Sequence, residues 1–340
     1  MKLEVMTVEA LLGCMVECEA SDLHLTPDAP AFLRKDGSLV PAAWLPAASI
    51  GAWLGQQAGL LRRLQRAKED VDFSLSFAGR RLRGHAYLAN GREALAFRLL
   101  PKHIPTFDEI GAPAGLVGLS KVHHGLILMT GRVGSGKSTT LAALLLALAE
   151  QRPLHVVTLE DPVEFLYQKE GSIFHQRELG RDFTTFDAAI RSTLREDPDV
   201  LLVSELRDRE TIRAALAAAE AGTLVLSTIH ARTAAEAPQR LADFFPAEEQ
   251  QPIRAALAAS LTAIVAERLI RVREGRQAVY EVLLRTPAIC HMIRAAEDPQ
   301  IPNALRSGRQ AGMTTFAQEG QRLLQSGVIT QAGVQKLMEE

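Results

Sequence analysis

Hydrophobic positions along the chain change period several times, and each change marks an element. Val5, Val8, Leu11, Leu12 and Met15 recur at helical spacing, which predicts an amphipathic helix over residues 5–18. Ser21-Asp-Leu-His-Leu25 alternates and reads as a strand. Ala31 to Val40 reads as a hairpin turning through Asp36-Gly37, and residues 49–69 return to a helical pattern. Val71 to Phe77 and Arg81 to Leu88 alternate again. Asn90-Gly91 is a hairpin turn, and Leu95 to Leu100 is expected to close the sheet. These elements make a small α+β domain over residues 1–100. Pro101, Pro105, Gly111, Pro113 and Gly115 give residues 101–120 the composition of a linker that leads into the second domain.

From residue 121 to 340 the pattern differs. Leu126 to Met129 is an unbroken apolar run, read as a short buried strand, followed by a glycine-rich turn and an Ala/Leu helix from about Lys137 to Glu150. The strand-like runs Leu154–Leu159, Val200–Val203 and Leu224–Ile229 then alternate with helical runs at Asp187–Arg195 and Arg209–Ala221. Such alternation predicts an α/β fold with a largely parallel sheet. Further on, Ile253, Leu257, Leu261, Ile264, Val265 and Leu269 fall on one helical stripe, so the segment from Pro246 is expected to be mostly helical. Gln277 to Leu284 reads as a strand. Thr286-Pro287 opens a helix as N-cap and first-turn proline, and helices at about 315–325 and 330–339 end the chain.

The glycine-rich turn brings in chemistry. Gly131, Gly136, Lys137 and Ser138 satisfy G-x-x-x-x-G-K-[ST], the P-loop, between the strand and helix that the motif requires. The backbone of Val133, Gly134 and Ser135 can curl so that its N–H groups point at one anion. The helix N-terminus at Ser138 and Thr139 adds partial positive charge. Lys137 is placed to reach the β/γ-phosphates of ATP, and the Ser138 hydroxyl to hold Mg²⁺.

In α/β sheets ligands bind at the carboxyl ends of the strands. The P-loop, Glu160–Glu164, Glu205 and His230 all fall at such ends. Glu205 directly follows an apolar strand, where a Walker B acid near Mg²⁺ sits. Glu164 is a candidate base, but on residues alone Glu160 and Asp161 stand almost level with it. A lone histidine at a strand end, His230, is more often structural than chemical. Thr228 beside it could bond a phosphate or water. In the first domain Arg80, Arg81, Arg83, Arg92 and Arg98 form either a solvated sheet face or a set of planar forks presented to phosphate.

Composition narrows the field. The 340 residues carry a net charge of −2 and 47% apolar content, a globular chain with no general affinity for nucleic acid or anionic membrane. Cys14, Cys18 and Cys290 form no C-x-x-C pair, which fits a reduced compartment. With three cysteines an all-cysteine tetrahedral zinc site is impossible within one chain. Glu4 and Glu9 stand where a signal peptide needs an apolar stretch. The longest apolar run, Leu141 to Ala149, is well short of the ~18 residues of a membrane span. A soluble protein, able to dock on a membrane complex, is expected.

Several motifs in order then resemble one family. Ser21-Asp-Leu-His-Leu25, Thr158-Leu-Glu-Asp-Pro-Val-Glu-Phe165, Arg195-Glu-Asp-Pro-Asp199, Glu205-Leu-Arg-Asp208, Gly222 to His230, Phe245-Pro-Ala-Glu-Glu249 and Thr286-Pro-Ala-Ile289 resemble the motifs of the PilT-type ATPases. These are the type IV pilus retraction motors of the secretion-ATPase superfamily. The resemblance implies a PAS-like α+β domain before a RecA-like P-loop ATPase domain, in a homo-hexameric ring that uses ATP and Mg²⁺. It implies that Glu164 polarises the attacking water, that Glu205 handles Mg²⁺, that His230 belongs to the site, and that Arg83 and Arg98 reach the nucleotide, with Arg81 a further candidate. As partners it implies an inner-membrane pilus platform protein and leaves room for other pilus ATPases. The location implied is cytoplasmic, at the inner face of the cytoplasmic membrane.

The chain also departs from the family. Walker B reads Ser204-Glu205 instead of Gly-Glu, Thr223 stands where the His box has a first histidine, and Ala288-Ile-Cys-His-Met-Ile-Arg294 lacks the first arginine of the motif linked to retraction. Arg132-Val133 replaces a Pro/Ala-Thr pair in the P-loop. The departures support an alternative, a low-turnover ATP-binding subunit that modifies another motor. Assembly and secretion ATPases usually carry a longer N-terminal region and a tetracysteine element. A DNA translocase is disfavoured by the slightly acidic balance and the lack of a basic–aromatic stripe.

Overall fold

The computed structural model describes residues 4–35, 37–57, 64, 70–272 and 275–339. Asp36 of the predicted hairpin turn and most of the second half of the predicted 49–69 helix lie outside the described residues. The chain forms two compact units. One runs to His103 and includes Asp161–Leu166; the other comprises Ile104–Glu160 and Tyr167–Glu340.

In the first unit, α1 (Val8–Glu17) is capped by Thr7, whose side chain accepts from the Ala10 amide. Strands β1 (Asp22–Leu25), β2 (Ala29–Lys35) and β3 (Ser38–Leu45) follow, then α2 (Ala47–Gln56). Strands β4 (Val71–Phe77), β5 (Arg80–Ala89) and β6 (Arg92–Leu99) complete a six-stranded antiparallel sheet in the order β3-β2-β1-β6-β5-β4. The last strand completes the sheet, as expected, but from its interior. It lies in the middle, paired with both β1 and β5. That place buries Leu95 and Phe97 against Leu11, Leu12 and Trp53 of the helices. Alternation along a strand reports its faces and is silent on its neighbours.

The second unit opens with α3 (Ala114–Gly118) and β7 (Gly125–Thr130), followed by α4 (Lys137–Gln151), β8 (His155–Glu160), β9 (Ile173–Glu178) and α5 (Phe186–Thr193). Next come β10 (Val200–Val203), α6 (Arg209–Glu220), β11 (Leu224–Ile229), α7 (Ala237–Ala242) and α8 (Ala247–Ser260). The chain ends with β12 (Leu261–Arg271), β13 (Arg276–Leu284), α9 (Pro287–Arg294), α10 (Ile301–Ser307), α11 (Phe316–Gln325) and α12 (Gln331–Glu339). The seven strands are ordered β13-β12-β7-β11-β10-β8-β9, all parallel except β13, which runs antiparallel to β12. This is the expected α/β fold.

The helical stripe from Ile253 to Leu269 is a correction. Ile253 and Leu257 do lie buried on α8, but the helix ends at Ser260. Leu261, Ile264, Val265 and Leu269 belong to β12. Ala263 to Ala266 are all buried, because β12 lies between β7 and β13 with both faces covered. A strand buried on both faces loses its alternation, and a continuous apolar run satisfies a helical template equally well. Edge strand β9 and helix α10 were not expected either. No helix among the described residues is long and apolar enough to cross a membrane.

Candidate active site

The parallel strands of the second unit aim their carboxyl ends at the P-loop. Strand β7 stops at Thr130, whose hydroxyl donates to Ala231 O and accepts from the Ala231 amide, both at 2.8 Å. This pair locks the end of β7 to the chain just after His230. The turn needs glycine at two places. Gly131 has φ +147°, and a Cβ there would lie 2.4 Å from the Glu267 carbonyl oxygen. Gly136 has φ +108°, and a Cβ would meet the Glu267 carboxyl at 2.2 Å. Val133 and Gly134 are exposed at the turn, Ser135 is buried, and Ser138 and Thr139 stand in the first turn of α4. The Lys137 ammonium donates to the carbonyls of Gly131 and Arg132, 2.9 Å each. Burial lowers its pKa, while the carboxylates of Glu205 and Glu267 push it back up. Two of the ammonium's three donors are thus given to its own loop, which holds the lysine over the turn.

Glu205 emerges just beyond β10. The Thr228 hydroxyl donates to Ser204 O at 2.8 Å, and the Leu206 amide donates to Thr228 O at 3.0 Å, so β11 clamps the turn that carries the acid. The Thr228 hydroxyl proton is thereby given to the turn that carries Glu205. The Glu205 carboxylate lies 3.0 Å from His230 Nε2 through one oxygen and accepts from Arg207 Nε at 3.0 Å through the other. His230 Nδ1 lies 3.4 Å from Gly131 O. The imidazole thus bridges the Walker B acid and the first P-loop glycine. The Ser138 hydroxyl and the Glu205 carboxylate are hard oxygen donors of the kind that would suit Mg²⁺ beside phosphates and water.

Glu164, Arg83 and Arg98 belong to the first unit. Arg83 and Arg98 are opposite one another in the β5–β6 register. Arg98 Nε donates to Asp22 at 2.8 Å, and Arg83 lies 3.7 Å from Asp72. Arg80, by contrast, is buried and tied to Glu19 and to Leu100 O, a structural role. Of the acids level with Glu164, Glu160 is buried and accepts from Thr158 Oγ1 at 2.6 Å and Gln176 Nε2 at 3.2 Å, which ties it into the sheet.

Sequence reasoning missed Glu267. It sits on β12 opposite Tyr280, 2% exposed, with its carboxyl against Gly136. Thr140 of α4 bonds it and also lies 3.0 Å from the Tyr280 hydroxyl. Burial pushes its pKa up to about 8, against the pull of Thr140 and Lys137. Burial and the Glu267 charge raise the Tyr280 phenol as well. An acid interrupting the apolar run from Ala263 was the available signal, hidden while that run was read as helix.

Glu267 has a consequence for stability. An unfolded Glu loses its proton above about pH 4.5, whereas the folded one keeps it to about 8, so stability falls as pH rises across that window. Glu267→Gln removes this penalty, about 3 kcal/mol at pH 7. Chemical denaturation should show the variant gaining over wild type from pH 5 to pH 8. Parallel pH dependences would contradict it.

A P-loop facing an acid and a histidine at the carboxyl end of a RecA-like sheet defines a P-loop ATPase. Residues 112–274 match the family described as type II/IV secretion system protein. The chain is 38% identical over 335 residues to the type IV pilus retraction ATPase PilT of Pseudomonas aeruginosa, covering 96% of each. It is 44% identical over 329 residues to YggR of Escherichia coli K12, described as uncharacterized, covering 95% of this chain and 99% of the relative. The crystal structure of the pilus retraction motor PilT with bound ADP superimposes with a TM-score of 0.88 at 34% identity, covering 98% of this chain and 97% of that one. The chain belongs to the type II/IV secretion ATPases, among their PilT-type members.

Proposed function

We propose that this chain is the motor of type IV pilus retraction, hydrolysing ATP with Mg²⁺ as a homo-hexamer. The observation that carries the reading is the convergence of Lys137, Glu205 and His230 on one P-loop, in a chain that matches a named retraction ATPase along both lengths. Lys137 and the backbone from Gly131 to Gly136 hold the phosphates. Ser138 and Glu205 hold Mg²⁺, which when bound neutralises charge developing on the phosphate oxygens. His230 orients Glu205 and links it to Gly131. Glu164 polarises the attacking water. Arg83 and Arg98 bring positive charge from the first unit to the nucleotide. Closure of the two domains on ATP, repeated around the ring, rotates an inner-membrane platform protein from the cytoplasmic face and withdraws pilin.

Replacing both arginines, Arg83→Gln with Arg98→Gln, should lower kcat about 10²-fold. Circular dichroism should stay native, because both arginine side chains are exposed and buried Asp22 keeps the bond from the Ser21 hydroxyl. Unchanged kinetics would return these residues to a solvated sheet face. Retraction itself is tested in a piliated bacterium lacking its own retraction ATPase. Restored pilus withdrawal and surface motility are expected. ATP turnover with no withdrawal would favour the accessory-subunit reading that Ser204, Thr223 and Cys290 suggest.

A further inference from the structure

The P-loop rests on an acid that the proposed ATPase chemistry does not use. Glu267 contributes two contacts to the turn, its carbonyl against Gly131 and its carboxyl against Gly136, the two positions where only glycine fits. The carboxyl is buried, Thr140 bonds it, and its Oε2 has no hydrogen-bond partner. It also borders a cavity of about 170 Å³ shared with Gly131, Arg132, Gly134 and Ser135. A buried acid so close to a cradle for a polyanion faces opposite demands in its two protonation states. Neutral, it is an inert floor. Ionised, it adds negative charge directly beneath the phosphates and draws the Lys137 charge toward itself.

We propose that Glu267 is a positioning residue of the phosphate cradle that must hold a proton while nucleotide is bound, so that binding above neutral pH takes up a proton at this carboxyl. The inference rests on the P-loop binding nucleotide. The groups facing Glu267 are few. Lys137 from α4 favours the ionised form; Tyr280 from β13 and the Thr140 hydroxyl complete the buried set. Arg132, Arg232, Arg268 and Arg276 line the adjoining cavity. Burial outweighs these attractions and keeps the acid neutral near pH 7. Because the bound phosphates favour the proton further, linkage requires the affinity to fall as pH rises past the free protein's titration, by up to tenfold per pH unit. The balance is simple. The proton comes from solvent, forms the O–H bond of Glu267 on binding, and returns on release.

The test is the affinity of the full chain for fluorescent ADP from pH 6.5 to 9.5 at constant ionic strength, beside Glu267→Gln. Wild type should lose affinity up to tenfold per unit above pH 8, and the variant should lose that dependence. A variant that follows the wild-type curve would assign the loss to Lys137 and overturn the proposal. A second measurement needs no variant. Infrared difference spectra of the wild-type chain at pH 9, on release of caged ADP, should show the C=O stretch of a protonated carboxyl appearing. If wild type binds ADP at pH 9 and no such band appears, the proposal fails. If wild type does not bind ADP even at pH 7, the nucleotide reading beneath it fails first.

Discussion

Lys137→Ala should abolish measurable nucleotide binding. The ammonium donates to two loop carbonyls at 2.9 Å, and if Lys137 cradles phosphate it gives those bonds to phosphate oxygens on binding. Removing it deletes charge-assisted bonds from a half-buried site, where they are about twice as strong as neutral ones. A loss of 10²-fold or more in ATP affinity is expected, about 3 kcal/mol. The fold should survive, since Ala suits the first turn of a helix and the lysine's hydrogen bonds go to its own loop. Equilibrium binding of a fluorescent ATP analogue checks this. Retained affinity would overturn the P-loop assignment itself.

Glu164→Gln should separate binding from turnover. If Glu164 polarises the attacking water, the amide keeps the shape and loses the charge. ATP then binds with near wild-type affinity while kcat falls about 10²–10⁴-fold. Single-turnover kinetics with radiolabelled ATP measures both in one experiment. Undiminished turnover would return the role to Asp161 or Glu205. Glu160 is the weaker substitute, since Thr158 and Gln176 already hold its carboxylate.

What the chain disclosed of itself depended on where the chemistry lay. The P-loop was legible because its constraint is local. A strand, a turn that only glycine can make at Gly131 and Gly136, and a helix N-terminus occupy consecutive residues. Glu205 and His230 were legible as strand-end residues, but their 3.0 Å approach depends on β10, β11 and β7 lying side by side. Strand order is set by long-range pairing, which no local period encodes. The same reason explains β6, whose pattern gave a strand without its place at the centre of the sheet. Glu267 stayed hidden for a different reason. Its segment is buried on both faces, so the alternation that would have marked it as strand was gone, and with it the sign that its carboxyl points under the P-loop.

The departures at Ser204 and Thr223 leave the local architecture in place. The Ser204 backbone is held as the Walker B turn requires, its amide donating to Leu159 O at 2.9 Å and its carbonyl accepting from Thr228. Thr223 lies just ahead of β11, at the opposite end of that strand from His230. The Glu205–His230 contact therefore stands without a first His-box histidine.

Steady-state ATP turnover of the purified chain beside its Glu205→Gln variant, with particle mass read in the same buffer with ATP, tests the motor reading most directly. Turnover in a particle six times the 37.0 kDa of one chain, lost in the variant, is the expected result. Tight ATP binding with no turnover above the variant would contradict it and leave an ATP-binding subunit in place of a motor.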